Sequence, residues 1–133
     1  IEIQVAGDAT GDAVTLGERD CSLQRNRQKV LEIAPAPWLP DAVRDELSHA
    51  ARRMASEARL NGIATFEFLV DRRNPHQFHF LECNPLPGLV PGFSDLPVIA
   101  EAAGLDYRAL IGAILAPALA RRTLEFDRSG TLR

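Results

Sequence analysis

The sequence predicts an α+β fold in which an antiparallel sheet carries helices packed on one face. Strand-like alternation of apolar and polar residues recurs in neighbouring segments that short turns join, which is typical of hairpins. One long helical pattern interrupts the strands, and two more helical patterns follow them. The resulting order, β-β-β-α-β-β-α-α, implies an antiparallel sheet with helices against one face, which is an α+β arrangement.

The first three strands are predicted from alternation and turn residues. Residues 1–5 alternate as a half-buried strand, residues 7–12 form a turn, and residues 13–16 form the second strand. Residues 18–29 follow, with three arginines, a lysine and two glutamines. This donor-rich segment is either a solvated charged loop or a surface that holds phosphate or carboxylate oxygens. Residues 30–33 are a short apolar strand.

The helices are predicted from their start and stop signals. Pro40 stands at a favourable first helical position, and an apolar stripe continues for about twenty residues until Gly62 ends the helix. Ser94 can cap a short helix that runs through Ala103, and Asp106 can cap the last one.

Two glutamates in residues 64–88 form the most informative pattern. Apolar residues flank Glu67 in one strand, so its side chain points to the opposite face; Glu82 and Asn84 share a parity in the next strand. The turn residues between the strands predict an antiparallel pair. Acids in strands are most often solvated, and parity leaves the register between the strands open. If the two carboxylates and the carboxamide converge, they favour Mg²⁺, which takes oxygen ligands.

Composition excludes several classes of protein. A length of 133 residues suits one domain, and a net charge of −3 argues against a general nucleic-acid binder. The longest apolar run, residues 110–120, is too short to cross a membrane. Two cysteines and no visible secretory signal predict the cytoplasm. The chain starts within a strand pattern and without methionine, so we expect a piece of a longer protein.

The stretch Ile1 to Val70 resembles biotin carboxylase, through the segments IEIQV, ERDCSLQR, QKVLEIAPAP and GIATFEFL. The resemblance implies the C-terminal half of an ATP-grasp domain, with ATP and Mg²⁺ as cofactors and biotin as one substrate to consider. It also implies roles for six residues: Glu67, Glu82 and Asn84 at the metal, Lys29 as the catalytic lysine at bicarbonate, and Gln24 and Leu69 at the nucleotide.

Residues 82–107 instead resemble D-alanine–D-alanine ligase, through ECNPLPG and EAAGLDY. Leu86 and Val90 stand where biotin carboxylase has an arginine that grips bicarbonate and a glutamate thought to act as base. Three functions therefore remain: a biotin-carboxylase-like enzyme that activates bicarbonate or a carboxylate as an acyl phosphate, a carboxylate–amine ligase, or a binding module without catalysis.

The resemblance also implies domain organisation and partners. Residues 1–91 would be the nucleotide- and metal-binding subdomain, and residues 92–133 a helical extension of the same domain. The glycine-rich phosphate loop of the family lies N-terminal to this region, so the isolated fragment is expected to be inactive without the preceding part of the enzyme. The expected partners are a small-molecule substrate and a second copy of the chain, with no nucleic acid and no membrane.

Overall fold

The structure, a computed structural model, describes residues 1–8, 10–102 and 104–125. It contains five strands and three helices in these residues, in the predicted order: β1 Glu2–Gly7, β2 Ala13–Arg25, β3 Gln28–Ile33, α1 Asp41–Glu57, β4 Gly62–Val70, β5 Phe78–Asn84, α2 Asp95–Ala102 and α3 Tyr107–Glu125. The chain divides into two compact units, Ile1–Pro87 and a second unit that begins at Gly88. The division into subdomains at residues 91 and 92 stays a prediction.

The five strands form one sheet in the order β3-β2-β1-β4-β5, and every neighbouring pair is antiparallel. One face of the sheet is apolar and packs against α1, with Ile3 and Phe66 from the strands and Val43 and Leu47 from the helix all buried. Alternation sends the intervening residues of β1 and β4 to the other face. The predicted α+β class is confirmed, and the opposite face of the sheet is left to carry the polar residues.

The donor-rich segment is a hairpin and not a loop. β2 continues nine residues beyond the predicted end at Leu16, to Arg25, and β3 begins at Gln28. Asn26 and Arg27 form the connection with φ angles of 52° and 64°. Two successive left-handed residues match the twist of a two-residue hairpin turn. Of the two alternatives left open, a loop is wrong because the segment pairs as two antiparallel strands, and Arg19 and Lys29 pair with acids that are distant in sequence.

The long helix is shorter than predicted at both ends. Pro40 is the N-cap residue and not the first helical residue, and α1 ends at Glu57. Arg59 adopts a left-handed φ of 50°, and the Leu60 amide donates to the Ala55 carbonyl at 2.8 Å. This is the hydrogen bond of a Schellman stop, which ends the helix before Gly62. Gly62 instead begins β4.

The second unit contains α2 and α3. Asp106 caps α3 as predicted, because its Oδ1 accepts a hydrogen bond from the Ala109 amide at 2.8 Å. Ser94 immediately precedes α2, but its Oγ accepts from the Val90 amide at 3.0 Å. The predicted end of this helix at Ala103 lies outside the described residues. None of the described helices is long and apolar enough to cross a membrane.

Gly7 packs closely against the backbone of Leu60, shortly after the end of α1. A Cβ atom at this position would lie 2.2 Å from the Leu60 carbonyl oxygen, so the backbone would have to move. We expect Gly7→Ala to lower the free energy of unfolding by about 2 kcal/mol in urea denaturation. Gly112→Ala is the control, because a Cβ there meets nothing within 4 Å and alanine favours a helix. Equal stability of the two variants would contradict the expectation.

Candidate functional site

The polar face of the sheet carries a row of charged residues contributed by four strands. The register places Arg19 opposite Glu2, Glu2 opposite Glu67, and Glu67 opposite Glu82. Directly opposed residues of antiparallel strands project from the same face, with their Cβ atoms about 5 Å apart. Arg19, Glu2, Glu67 and Glu82 therefore form one line across the sheet, which we call the charged row.

The register, which residue parity left open, places Glu67 opposite Glu82 on one face. A break in the regular register follows this pair, since Phe68 pairs with Phe80 and Leu81 is left over. Such a bulge often changes the direction of side chains next to functional sites. The solvated-face alternative describes Glu82, which is exposed. It does not describe Glu67, whose side chain is only 21% exposed and accepts a hydrogen bond from Lys29 at 2.8 Å.

Asn84 extends the same face beyond the acid pair. It is the last residue of β5 and lies opposite Thr65, two positions from Glu82. Its Oδ1 accepts a hydrogen bond from the Leu86 amide at 3.0 Å, so the side chain is held at the start of the following loop. A carbonyl oxygen has two lone pairs, and the second remains for another donor or a cation.

Lys29 connects the hairpin to the charged row. Its Nζ donates hydrogen bonds to carboxylate oxygens of both Glu2 and Glu67. Arg19 also donates to Glu2 and, through its other terminal nitrogen, to Glu32 at 2.6 Å. The two cations offset part of the negative charge that three neighbouring acids create on this face.

Glu2 is the site residue that sequence reasoning missed. Its alternation with apolar neighbours predicted only a half-buried strand, whereas the residue is 1% exposed and bound to two cations. A carboxylate is rarely buried unless it is paired. The cations in residues 18–29 could have indicated this role of Glu2, because buried cations pair with acids, and β1 is the neighbouring strand that carries one.

A cavity of about 550 Å³ adjoins the charged row on the first unit. Four of its lining residues matter for the site: Glu2, Glu67, Gln24 and Leu69. The structure thus brings the two predicted nucleotide residues together with one predicted metal ligand. Glu82 and Asn84 are not among the residues that line this cavity, and lie further along the row on β5.

A second group of acids is less suited to a metal. Carboxylate oxygens of Glu2 and Glu32 and the Cys21 sulfur lie within 4.8 Å of one another. Both acids already pair with Arg19, and Glu2 also pairs with Lys29. A hard cation would have to compete with these cations and accept a thiol.

Cys21 is expected to be chemically inert. Burial, with a further contribution from Glu32, raises the pKa of its thiol to about 12, so almost no reactive thiolate forms at mildly alkaline pH. Cys83 is exposed. We expect Ellman's reagent to modify one thiol rapidly in the folded protein and two in denaturant. Cys83→Ser should abolish the rapid reaction; a rapid thiol in that variant would contradict the assignment.

Fold and charged row together define a domain of the ATP-grasp class. Residues 1–87 match the family described as "Carbamoyl-phosphate synthase L chain, ATP binding domain". The chain belongs to this family.

Several relatives of this chain are named as carboxylases. The chain is 49% identical over 84 residues to the mitochondrial methylcrotonoyl-CoA carboxylase subunit alpha of Mus musculus, which is 63% of this chain and 11% of that protein. It is 48% identical over 85 residues to pyruvate carboxylase of Aspergillus terreus, which is 64% of this chain and 7% of that protein. The chain therefore spans about a tenth of these relatives.

Two solved structures that are similar to this chain are also described as carboxylases. Kluyveromyces lactis urea carboxylase matches with a TM-score of 0.74 and 37% identity, over 89% of this chain and 10% of that one. The biotin carboxylase domain of Hydrogenobacter thermophilus 2-oxoglutarate carboxylase, described as a dimer with MgADP, ADP and bicarbonate, matches with a TM-score of 0.70 and 33% identity, over 86% and 24%. The resemblance of residues 1–70 to biotin carboxylase is confirmed; that of residues 82–107 to a ligase stays a prediction.

Proposed function

We propose that this chain is the metal- and phosphate-binding part of an ATP-dependent carboxylase that activates bicarbonate, or another carboxylate, for transfer to a nucleophile. The observation that carries the proposal is the cross-strand pair of Glu67 and Glu82 with Lys29 on the same face. Two acids kept side by side favour a cation between them, since like charges directly opposite destabilise a sheet.

The donor set fits Mg²⁺. Glu67, Glu82 and Asn84 offer carboxylate and amide oxygens from one face of two neighbouring strands, and Mg²⁺ is commonly bound by one or two carboxylates together with phosphate oxygens. When bound, the ion neutralises negative charge on the phosphates of ATP. All the protein ligands of the metal would thus come from β4 and β5, and the nucleotide and water would supply the others.

Lys29 would act on the anionic substrate. Its ammonium group lies against Glu67 and Glu2, so it is fixed at the edge of the proposed metal site. A fixed cation orients a small anion such as bicarbonate and lowers the cost of bringing it near phosphate oxygens. Gln24 and Leu69, which line the cavity together with Glu67, would contact the nucleotide.

The loop after Asn84 favours a second candidate function. Leu86 is 84% exposed and Val90 is 57% exposed, and neither side chain can bind a proton or an anion at neutral pH. A carboxylate–amine ligase, as in the resemblance to D-alanine–D-alanine ligase, does not need an arginine and a glutamate there. Biotin as acceptor belongs to the first function, and an amino acid to the second.

Assembly and location are part of the proposal. The Hydrogenobacter thermophilus domain is described as a dimer, which supports a homo-oligomer together with the remaining parts of a larger enzyme. The cytoplasm stays a prediction, since the mouse relative is described as mitochondrial.

The test measures ADP release from MgATP by the full gene product. Release that depends on bicarbonate and is stimulated by biotin supports the carboxylase, whereas stimulation by an amino acid supports the ligase. Lys29→Met should reduce either activity at least tenfold, while Arg25→Met, an exposed cation on the same hairpin, serves as the matched control. Absence of nucleotide binding in calorimetry with magnesium would overturn both and favour a module without catalysis.

A further inference from the structure

Lys29 connects two acids that have very different surroundings. Its Nζ donates hydrogen bonds to Glu2 and, at 2.8 Å, to Oε1 of Glu67. The Glu2 side chain is 2% exposed and also pairs with the buried Arg19, whereas the Glu67 side chain is 21% exposed. The contact with Glu2 therefore lies in the interior of the charged row, and the contact with Glu67 lies in its more accessible part.

The Glu67 carboxylate is needed by two different cations. Lys29 occupies one of its oxygens, while the register places Glu82 directly opposite on the next strand. The proposed Mg²⁺ site uses Glu67 together with Glu82, so the ion would be a second cation on a carboxylate that already binds one. Two cations on one partly buried group repel each other with little screening from solvent. Binding of the ion thus weakens the contact between Lys29 and Glu67.

Glu2 keeps Lys29 at the site when the contact with Glu67 weakens. Glu2 is not among the proposed metal ligands, and it pairs with both Arg19 and Lys29. The Lys29 side chain is 30% exposed and has a flexible stem of four carbons. An ammonium group has three donors. Lys29 can therefore keep its hydrogen bond to Glu2 and turn the donor that Glu67 held toward an anion.

The charges on this face favour binding of the metal before the anion. The three carboxylates of the charged row face two cations, Arg19 and Lys29, so negative charge is in excess within the row. An excess of negative charge opposes the approach of an anion such as bicarbonate. A divalent cation compensates for this excess, because it is the largest local charge in such a site.

We propose that Mg²⁺ and Lys29 compete for Glu67, so that binding of the ion releases Lys29 to bind the anionic substrate. The inference rests on the proposed function, because it assumes Mg²⁺ between Glu67 and Glu82. It adds a regulation of that site, in which the metal and the anion each tighten binding of the other by the same factor, since coupling between two sites is reciprocal. The structural alternative is that the contact between Lys29 and Glu67 only joins β3 to β4 and stays intact.

The experiment follows Lys29 by NMR and measures binding of Mg²⁺ and of bicarbonate by calorimetry. Lys29 is the single lysine of the sequence, so lysine labelled with ¹³C at Cε gives one side-chain signal in the 133-residue chain. We expect Mg²⁺ alone to shift this signal, and bicarbonate to bind about tenfold more tightly with Mg²⁺ than without it. Glu67→Gln should bind bicarbonate without Mg²⁺ as tightly as the unsubstituted chain binds it with Mg²⁺.

Glu82→Gln is the matched control for Glu67→Gln. It removes the same charge from the same face, and it also removes a proposed metal ligand, but it leaves Lys29 bound to Glu67. This variant should bind bicarbonate weakly whether or not Mg²⁺ is present, and Mg²⁺ should not shift its Lys29 signal. The comparison therefore separates release of Lys29 from a general effect of charge.

Three results would overturn the inference and leave the proposed function standing. They are Mg²⁺ binding without a shift of the Lys29 signal, bicarbonate binding that is absent or that Mg²⁺ does not change, and a Glu67→Gln variant that binds bicarbonate no better than Glu82→Gln. If calorimetry detects no Mg²⁺ binding to the unsubstituted chain, the proposed metal site and this inference fail together. Urea denaturation of each variant separates a binding defect from unfolding.

Discussion

Replacing both Glu67 and Glu82 by glutamine is expected to weaken binding of MgATP at least 100-fold while the fold persists. Loss of groups that merely support metal ligands typically costs 10- to 100-fold, so loss of two ligands should cost at least as much. The two side chains lie opposite each other across β4 and β5, and their amides remain nearly isosteric with the acids. Calorimetry with and without magnesium measures the effect.

The free energy of unfolding distinguishes a loss of MgATP binding from a loss of folding. Glu82 meets no cation among the residues that the structure describes, so Glu82→Gln alone removes a like-charge contact. Its free energy of unfolding should stay the same or rise by a few tenths of a kcal/mol. Asp45→Asn, an equal change of charge on the exposed side of α1, is the matched control. A doubly substituted protein that keeps MgATP affinity within twofold would remove the proposed metal site.

Arg19→Met is expected to cause the largest loss of stability, about 3 kcal/mol, because it leaves buried acids without their arginine. The Arg19 side chain is 7% exposed and binds Glu2, itself 2% exposed in its side chain, as well as Glu32. Lys29 can compensate for only part of the lost positive charge, since it pairs with Glu67 as well as with Glu2.

Urea denaturation followed by Trp38 fluorescence tests this expectation. With a typical dependence on urea, a loss of 3 kcal/mol lowers the midpoint by about 1 to 3 M. Arg25→Met removes a cation from the exposed end of the same strand and should change the midpoint little. A midpoint for Arg19→Met equal to that of the control would show that the buried ion pairs contribute nothing net.

Short-range patterns in the sequence predicted the order of elements and the cap of the last helix. The cap at Asp106 was predicted because a cap involves residues one turn apart. Parity left the pairing of Glu67 with Glu82 open, because regular pairing from the turn puts Glu67 opposite Leu81, and the bulge at Leu81 brings Glu82 there instead.

Contacts between distant residues were predicted poorly. Glu18, in a segment for which a solvated loop was one of two alternatives, is buried and accepts hydrogen bonds from the Ala36 amide and from Arg44. The loop stayed an alternative because the polarity of the segment was considered without the partners of its side chains. The ion pair between Asp20 and Arg72 joins residues 52 positions apart, and no local pattern indicates it.

The sequence by itself determined the class of fold, the shared parity of Glu82 and Asn84 in one strand, and the resemblance that assigns these residues and Glu67 to a nucleotide enzyme. Only the tertiary structure decided that Glu67 lies opposite Glu82, that Glu2 is buried, and that Lys29 pairs with Glu67. The physical reason is that alternation and turns act between neighbours in the chain, whereas charge pairing and burial depend on strands that meet only after folding.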